Sequence, residues 1–277
     1  MRIDAHQHFW RLERGDYGWL TPAFGPIHRD FTPAGLSPLL ARSGVEATVL
    51  VQAAPTRAET AFLIDLASYT PFVAGIVGWV DFEAPDAADQ VAALAKAPKL
   101  VGVRPMIQDL ADDAWLLRPT LAPAIEAMIG AGLAFDALVK PRHLPILRRF
   151  AERWPALRIV IDHGAKPDIA GGAFEPWASE MAAIARETGA MCKLSGLATE
   201  AAPGFASHDL WPYIDALLDA FGPGRLMWGS DWPVVNLASS YKDWFESASR
   251  ALGRRLGATD QDRVFGRTAA DFYGLET

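Results

Sequence analysis

Short apolar runs alternate along the chain with longer segments in which apolar residues recur every three or four positions. The apolar runs predict eight strands: Arg2–Ala5, Val45–Gln52, Val73–Val80, Leu100–Arg104, Ala134–Val139, Arg158–Asp162, Met191–Ser195 and Arg225–Gly229. The segments of helical spacing predict eight helices: Pro33–Ser43, Arg57–Tyr69, Asp86–Ala97, Trp115–Gly130, His143–Arg153, Phe174–Thr188, Asp209–Phe221 and Ser239–Leu252. This regular alternation favours one (β/α)8 TIM barrel over residues 1–277, and a doubly wound open sheet is the alternative.

Polar residues stand at the carboxyl ends of the predicted strands: His6, His8, Gln52, Asp81, Arg104, Asp136, His163, Ser195 and Asp231. A barrel builds its active site from many strand ends, whereas an open sheet concentrates such groups at one switch point. The spread over many strands therefore favours the barrel, with an active site at its C-terminal mouth.

Composition and charge narrow the possible partners. The 277 residues are 51% hydrophobic and carry a net charge of −7, which suits one large core and argues against nucleic acid. The single cysteine, Cys192, allows no internal disulfide. The chain opens without a basic and apolar leader, and its longest apolar stretch, Leu121 to Phe135, contains Glu126. We therefore expect a cytoplasmic protein without a membrane span. The sequence does not determine the oligomeric state, and it is compatible with a homo-oligomer.

Three strand ends supply residue types that bind metals. His6 and His8 leave the first strand two positions apart, so their side chains share one face. His163 and Asp231 follow two other predicted strands directly. Three imidazoles and one carboxylate are a suitable ligand set for one borderline divalent ion such as Zn²⁺.

Several motifs together resemble the amidohydrolase superfamily, and within it the amidohydrolase-related branch that contains sugar-lactone hydrolases. They are Asp4-Ala5-His6-Gln7-His8-Phe9-Trp10, His28-Arg29-Asp30-Phe31, Gly102-Val103-Arg104, Ile161-Asp162-His163-Gly164-Ala165-Lys166-Pro167, Cys192-Lys193-Leu194-Ser195-Gly196-Leu197 and Met227-Trp228-Gly229-Ser230-Asp231-Trp232-Pro233. The resemblance implies a TIM barrel with a metal site at its mouth and hydrolysis of a lactone ring. It matches His6 and His8 to the first-strand ligands, His163 to the sixth-strand histidine and Asp231 to the eighth-strand aspartate.

The chain departs from the two-metal members of that superfamily. Those members use a bridging lysine or glutamate after the fourth strand and a histidine after the fifth, where this chain has Arg104 and Asp136. The departure favours a mononuclear site. The same branch includes lactonases that work without a bound metal, so metal-independent catalysis stays open.

Lactone hydrolysis requires a polarised carbonyl, an activated water and a proton for the leaving alkoxide. A divalent ion can supply the first two. We expect Asp231 to be the general acid/base that accepts the proton of the water and returns it to the ring oxygen.

The predicted substrate contacts lie in the loops at the mouth. They are His28, Arg29, Asp30, Arg104, Gln108, Lys166 and Trp232, with Trp10 and Trp19 as further rings that could stack on a sugar. For Arg104 a structural pair with a carboxylate such as Asp136 is an equal alternative.

The expected reaction is hydrolysis of an aldonolactone, such as L-fucono-, L-rhamnono- or galactono-lactone, to its aldonic acid. The alternatives are hydrolysis of a carboxylated lactone of the 2-pyrone-4,6-dicarboxylate type, a metal-dependent decarboxylation, and a binding barrel without activity. Sequence does not distinguish the individual lactones, because they differ by single hydroxyl orientations or a methyl group.

Overall fold

The computed structural model describes residues 1–276, in which eight parallel strands form a nearly closed barrel. The strands pair in chain order and are β1 (Ile3–Gln7), β2 (Ala47–Val51), β3 (Val73–Gly78), β4 (Leu100–Val103), β5 (Ala134–Ala137), β6 (Arg158–Ile161), β7 (Met191–Leu194) and β8 (Leu226–Trp228). The predicted (β/α)8 barrel is confirmed, and the open-sheet alternative is wrong.

Helices surround the strands. They are α1 (Pro33–Ser43), α2 (Arg57–Ser68), α3 (Ala87–Leu94), α4 (Ala122–Ala131), α5 (Leu144–Arg153), α6 (Trp177–Glu187), α7 (Leu197–Glu200), α8 (Trp211–Phe221), α9 (Tyr241–Gly253), α10 (Ala258–Asp262) and α11 (Thr268–Tyr273). Within residues 1–276, no helix combines the length and the apolar character that a membrane crossing requires.

The fourth predicted helix is shorter than expected, because its first part forms two separate 3-10 turns, Trp115–Leu117 and Pro119–Leu121. Proline disfavours the helical conformation of the residue before it, and Arg118 accordingly has an extended backbone (φ −62°, ψ 129°). The pattern also missed α7, α10, α11 and the π-helical turn Arg263–Arg267. The helices α7, α10 and α11 are too short to show a clear helical period of apolar residues.

The barrel closes where β1 meets the segment after β8. The amide of Asp231 donates to the carbonyl of His6 (2.8 Å), and the amide of His8 donates to the carbonyl of Trp232 (2.7 Å). The strands approach so closely at Gly229 that a Cβ there would lie 2.7 Å from Cβ of His6. Closure thus fixes the first-strand histidines relative to Asp231.

The amino-terminal end of the barrel is filled by the end of the chain. Phe272, Tyr273 and Leu275 pack on the apolar side chains of the strands, Val49 and Val77 among them. These side chains seal the floor, so the functional residues gather at the opposite end.

A candidate active site at the mouth of the barrel

Three imidazoles converge on one carboxylate oxygen. Oδ1 of Asp231 lies 3.2 Å from Nε2 of His8, 3.8 Å from Nε2 of His6 and 3.9 Å from Nε2 of His163. All four side chains are buried. The four residues predicted to bind a metal therefore form one cluster at the ends of β1, β6 and β8.

Hydrogen bonds behind the cluster orient two of the rings. Nδ1 of His8 donates to the carbonyl of Val51 (2.8 Å), which leaves its Nε2 as an acceptor facing Asp231. Nδ1 of His163 shares a hydrogen bond with Oγ of Ser195 (2.9 Å). Such outer contacts are the usual support of metal-binding histidines.

Burial sets the charges of the cluster. It lowers the pKa of His163 to about 4 and also lowers the pKa of His6 and His8, so the rings are neutral near pH 7. Burial alone would raise the pKa of Asp231, but the adjacent His163 and His8 rings hold it well below the ordinary value. The site thus presents one carboxylate among neutral nitrogen donors.

Left-handed backbone places three of the predicted site residues. His163, Lys166 and Asp231 have φ values of 55°, 52° and 56°, which cost L-residues about 1–2 kcal/mol each. His163 also needs Gly196 beside it, because a Cβ at Gly196 would lie 2.7 Å from Cγ of the histidine. Strain of this kind is concentrated at functional sites.

The cluster fits one metal ion. His6, His163 and Asp231 each offer one ligand atom, and these three atoms lie within 4.8 Å of one another. A set of two nitrogens and one oxygen suits zinc. His8 adjoins this group through its 3.2 Å contacts with Asp231 and His6. Nη1 of Arg104 also lies 3.2 Å from Nε2 of His6, so the guanidinium and an ion would compete for that lone pair.

Buried charges that were not predicted as a group lie beneath the cluster. The ammonium group of Lys193 lies 2.5 Å from Asp136, 3.0 Å from Asp162 and 3.1 Å from Nδ1 of His6. Asp162 also pairs with Nη1 of Arg104 at 3.2 Å. The carboxylate partner of Arg104 is therefore Asp162 and not Asp136, which belongs to Lys193. A lysine within the apolar strand β7 was the available signal, because alternate residues of a barrel strand point inward.

A cavity of about 350 Å³ opens above the cluster and is lined by His8, His163 and Asp231. The predicted contacts Arg104, Gln108, Lys166 and Trp19 line it too, together with the apolar residues Phe24, Met106, Leu138, Val234 and Leu237. The cavity has three further polar lining residues, Asp109, Thr199 and Glu200, which the sequence did not indicate because they lie in a 3-10 turn and a four-residue helix without a repeating pattern.

The other predicted contacts lie away from this cavity. Trp10 is fully buried and Trp232 is 3% exposed, packed against Phe31 at 5.1 Å between ring centroids. Neither ring presents a face for stacking on a sugar. Arg29 and Asp30 line a separate groove beside Trp232, and His28 lines neither space.

The fold and the strand-end cluster of three histidines and one aspartate are those of an amidohydrolase-type barrel. The sequence profile of the amidohydrolase family matches residues 3–275, and the chain belongs to this family.

The relatives that match over nearly the full chain include two lactonases. An L-fucono-1,5-lactonase of Burkholderia ambifaria is 51% identical over 99% of this chain and 96% of its own length. An L-fucono-1,5-lactonase of Burkholderia multivorans is 39% identical over the same shares.

Solved structures agree with this relationship. A Burkholderia multivorans amidohydrolase with bound zinc superposes with a TM-score of 0.95 at 38% identity, and both chains are covered completely. The crystal form with bound HEPES gives a TM-score of 0.93 at 39% identity, again over the whole of both chains. A probable 2-pyrone-4,6-dicarboxylic acid hydrolase of Acinetobacter baumannii, at 18% identity and a TM-score of 0.82 over 99% of both chains, shares the fold.

Proposed function

We propose that the protein hydrolyses a sugar lactone, of the L-fuconolactone class, to the corresponding aldonic acid. Two relatives that match along the full chain carry this activity in their names. The observation that carries the proposal is the convergence of His6, His8 and His163 on Asp231 at the base of a cavity of about 350 Å³. A space of this size suits a single sugar ring.

Asp231 is the proposed general acid/base. Its carboxylate accepts a proton from water, and the oxygen of that water adds to the lactone carbonyl to form a tetrahedral intermediate. The bond between the carbonyl carbon and the ring oxygen then breaks, and Asp231 returns the proton to the leaving alkoxide. Positioned groups of this kind contribute about a hundred- to ten-thousand-fold in rate.

His6, His8, His163 and Asp231 are the proposed ligands of one divalent ion, with zinc favoured by the nitrogen-rich donor set. Such an ion would polarise the lactone carbonyl and acidify a water molecule. A relative at 38% identity with bound zinc supports the assignment.

Arg104, Gln108 and Lys166 are the proposed substrate contacts. Arg104 is held by Asp162 and by carbonyl and amide oxygens of Gln52, so its position at the cavity wall is fixed. Oε1 of Gln108 has no hydrogen-bond partner among the described residues, which leaves an acceptor for a sugar hydroxyl.

The test is acid release, followed with a pH indicator, from L-fucono-, L-rhamnono- and D-galactono-lactones against an enzyme-free blank. We expect turnover far above the spontaneous rate, and a loss of at least about a hundredfold in Asp231→Asn with an unchanged circular dichroism spectrum. Acid release only from 2-pyrone-4,6-dicarboxylate, or carbon dioxide release from an aromatic acid, would replace this proposal with one of the alternatives.

A further inference from the structure

Lys166 and Glu200 lie side by side in the wall of the cavity above Asp231. Nζ of Lys166 lies 3.8 Å from Oε1 of Glu200, and the two side chains are 23% and 27% exposed. This separation is longer than a hydrogen bond, whose range for N–H···O ends near 3.2 Å. Within residues 1–276 neither charged group forms a hydrogen bond with the protein. The pair therefore holds an unused donor and an unused acceptor side by side.

The backbone fixes the pair in place. Lys166 follows His163, Gly164 and Ala165, and all four residues have positive φ values between 52° and 61°. The amide of Ala170 donates to the carbonyl of Glu200 (2.9 Å), which ties the loop after β6 to the end of α7. The separation of the two charges is thus set by main-chain contacts as well as by flexible side chains.

A role in stability alone does not account for this arrangement. Burial raises the pKa of Glu200, and Lys166 only partly offsets that cost. A partly exposed ion pair without a direct hydrogen bond adds little to stability, typically about 0–1 kcal/mol. Charged groups left without hydrogen bonds in a cavity are satisfied when a polar ligand enters.

We propose that Glu200 is a specificity-determining residue that, together with Lys166, binds two adjacent hydroxyl groups of the sugar lactone. One hydroxyl donates to the carboxylate and its neighbour accepts from the ammonium group. Such a donor and acceptor pair recognises a vicinal diol, because each hydroxyl group can either donate or accept a hydrogen bond. The same cavity is also lined by Trp19, Phe24 and Leu237, whose apolar surfaces suit the C–H face of the ring.

This inference rests on the proposed function, so its test uses binding as well as turnover. The binding probe is 1,5-anhydro-L-fucitol, which keeps the ring and its hydroxyl groups and lacks the reactive carbonyl. Isothermal titration is carried out with the wild type, Glu200→Gln, Lys166→Gln and the matched control Glu152→Gln. Glu152 is exposed on α5 and far in sequence from the cavity segments.

We expect the Kd of the probe to rise about tenfold or more in Glu200→Gln and in Lys166→Gln, and to stay unchanged in Glu152→Gln. In turnover, Glu200→Gln should raise KM for the hydroxylated lactones at nearly constant kcat, while hydrolysis of δ-valerolactone, which lacks hydroxyl groups, stays unchanged. Wild-type affinity in both cavity variants, or no binding of the probe by the wild type, would overturn the inference. An equal loss with both kinds of lactone would also overturn it, because recognition of hydroxyl groups would then not be involved.

The two proposals fail in different ways. Absence of wild-type lactone turnover would refute the proposed function, and the titration would still report whether the pair binds a diol. Normal turnover combined with unchanged probe affinity in both variants would refute the role of the pair alone.

Discussion

Nζ of Lys193 lies 2.5 Å from Oδ2 of Asp136 inside the barrel, where neither side chain is exposed to solvent. The hydroxyl of Tyr273, from the last helix, donates to the same carboxylate oxygen (2.7 Å). On its other side Lys193 contacts His6. A chain of polar contacts therefore connects the floor of the barrel with a proposed metal ligand.

Lys193→Met should destabilise the protein by about 3–5 kcal/mol, because it leaves Asp136 and Asp162 buried without their shared cation. Urea unfolding at pH 7 measures the change. The double variant Lys193→Met, Asp136→Leu should recover much of the loss, since it removes a carboxylate along with the lysine. Lys242→Met on the exposed side of α9 is the control and should change stability by less than about 0.5 kcal/mol. An equally small effect at Lys193 would show that this ion pair is unimportant to folding.

Gly196→Ala should reduce kcat at least about tenfold, because the new methyl group would displace the His163 ring from Asp231. Gly196 has a positive φ of 64°, so strain alone could also cause a loss. Gly172→Ala separates the two effects, since Gly172 has φ 67° and open space around its Cβ position. Steady-state kinetics of both variants on the preferred lactone is the measurement. Equal activity in the two would contradict a requirement for space beside His163.

His163→Ala should abolish zinc binding, because it removes one of the three close ligands. We expect about one zinc per chain in the wild type by elemental analysis, and a rise in Tm when zinc is added, through mass action. Both effects should disappear in His163→Ala and persist in His208→Ala, whose ring is on the surface. Zinc uptake that is the same in all three proteins would place the metal elsewhere.

Glu59→Gln should flatten the dependence of stability on pH. Glu59 is fully buried on α2, where one carboxylate oxygen accepts from the amide of Ala53 (2.9 Å) and the other has no partner among residues 1–276. Burial raises its pKa from 4.5 to about 8. As the pH rises, the unfolded chain loses the Glu59 proton at a lower pH than the folded protein does. The protonated carboxyl group therefore stabilises the folded state fully below about pH 4.5, and this stabilisation is lost progressively up to about pH 8.

The slope from this one group is about 1.4 kcal/mol per pH unit. Urea unfolding of the wild type and Glu59→Gln at pH 5.5, 6.5 and 7.5 tests it, with the exposed-site variant Glu152→Gln as control. The difference in unfolding free energy between Glu59→Gln and the wild type should grow in favour of the variant as the pH increases. A constant difference would mean that Glu59 does not titrate differently in the folded protein.

The sequence predicted the barrel and the Asp231 cluster for one physical reason. Apolar strands and their polar ends are local patterns, and the closure of a barrel brings the carboxyl ends of all strands together. The grouping of His6, His8, His163 and Asp231 could therefore be predicted from the sequence alone.

Residues of the loops could not be placed in the same way. Trp232 lies one position after Asp231, and yet its ring turns into the core beside Phe31. Glu200 enters the cavity from a four-residue helix that no periodicity indicates. Their directions depend on main-chain angles, such as the left-handed turn from His163 to Lys166, which follow from tertiary packing and not from a repeating pattern.

The sealed floor also determines the route by which molecules move. With Phe272, Tyr273 and Leu275 packed beneath the strands, the cavity above Asp231 communicates with solvent at one end only. A newly formed acid has to leave by the path along which the next lactone arrives. Arg104 and Lys166 line the cavity and carry charge opposite to that of the acid. Release of the acid and capture of the next lactone therefore use the same entrance.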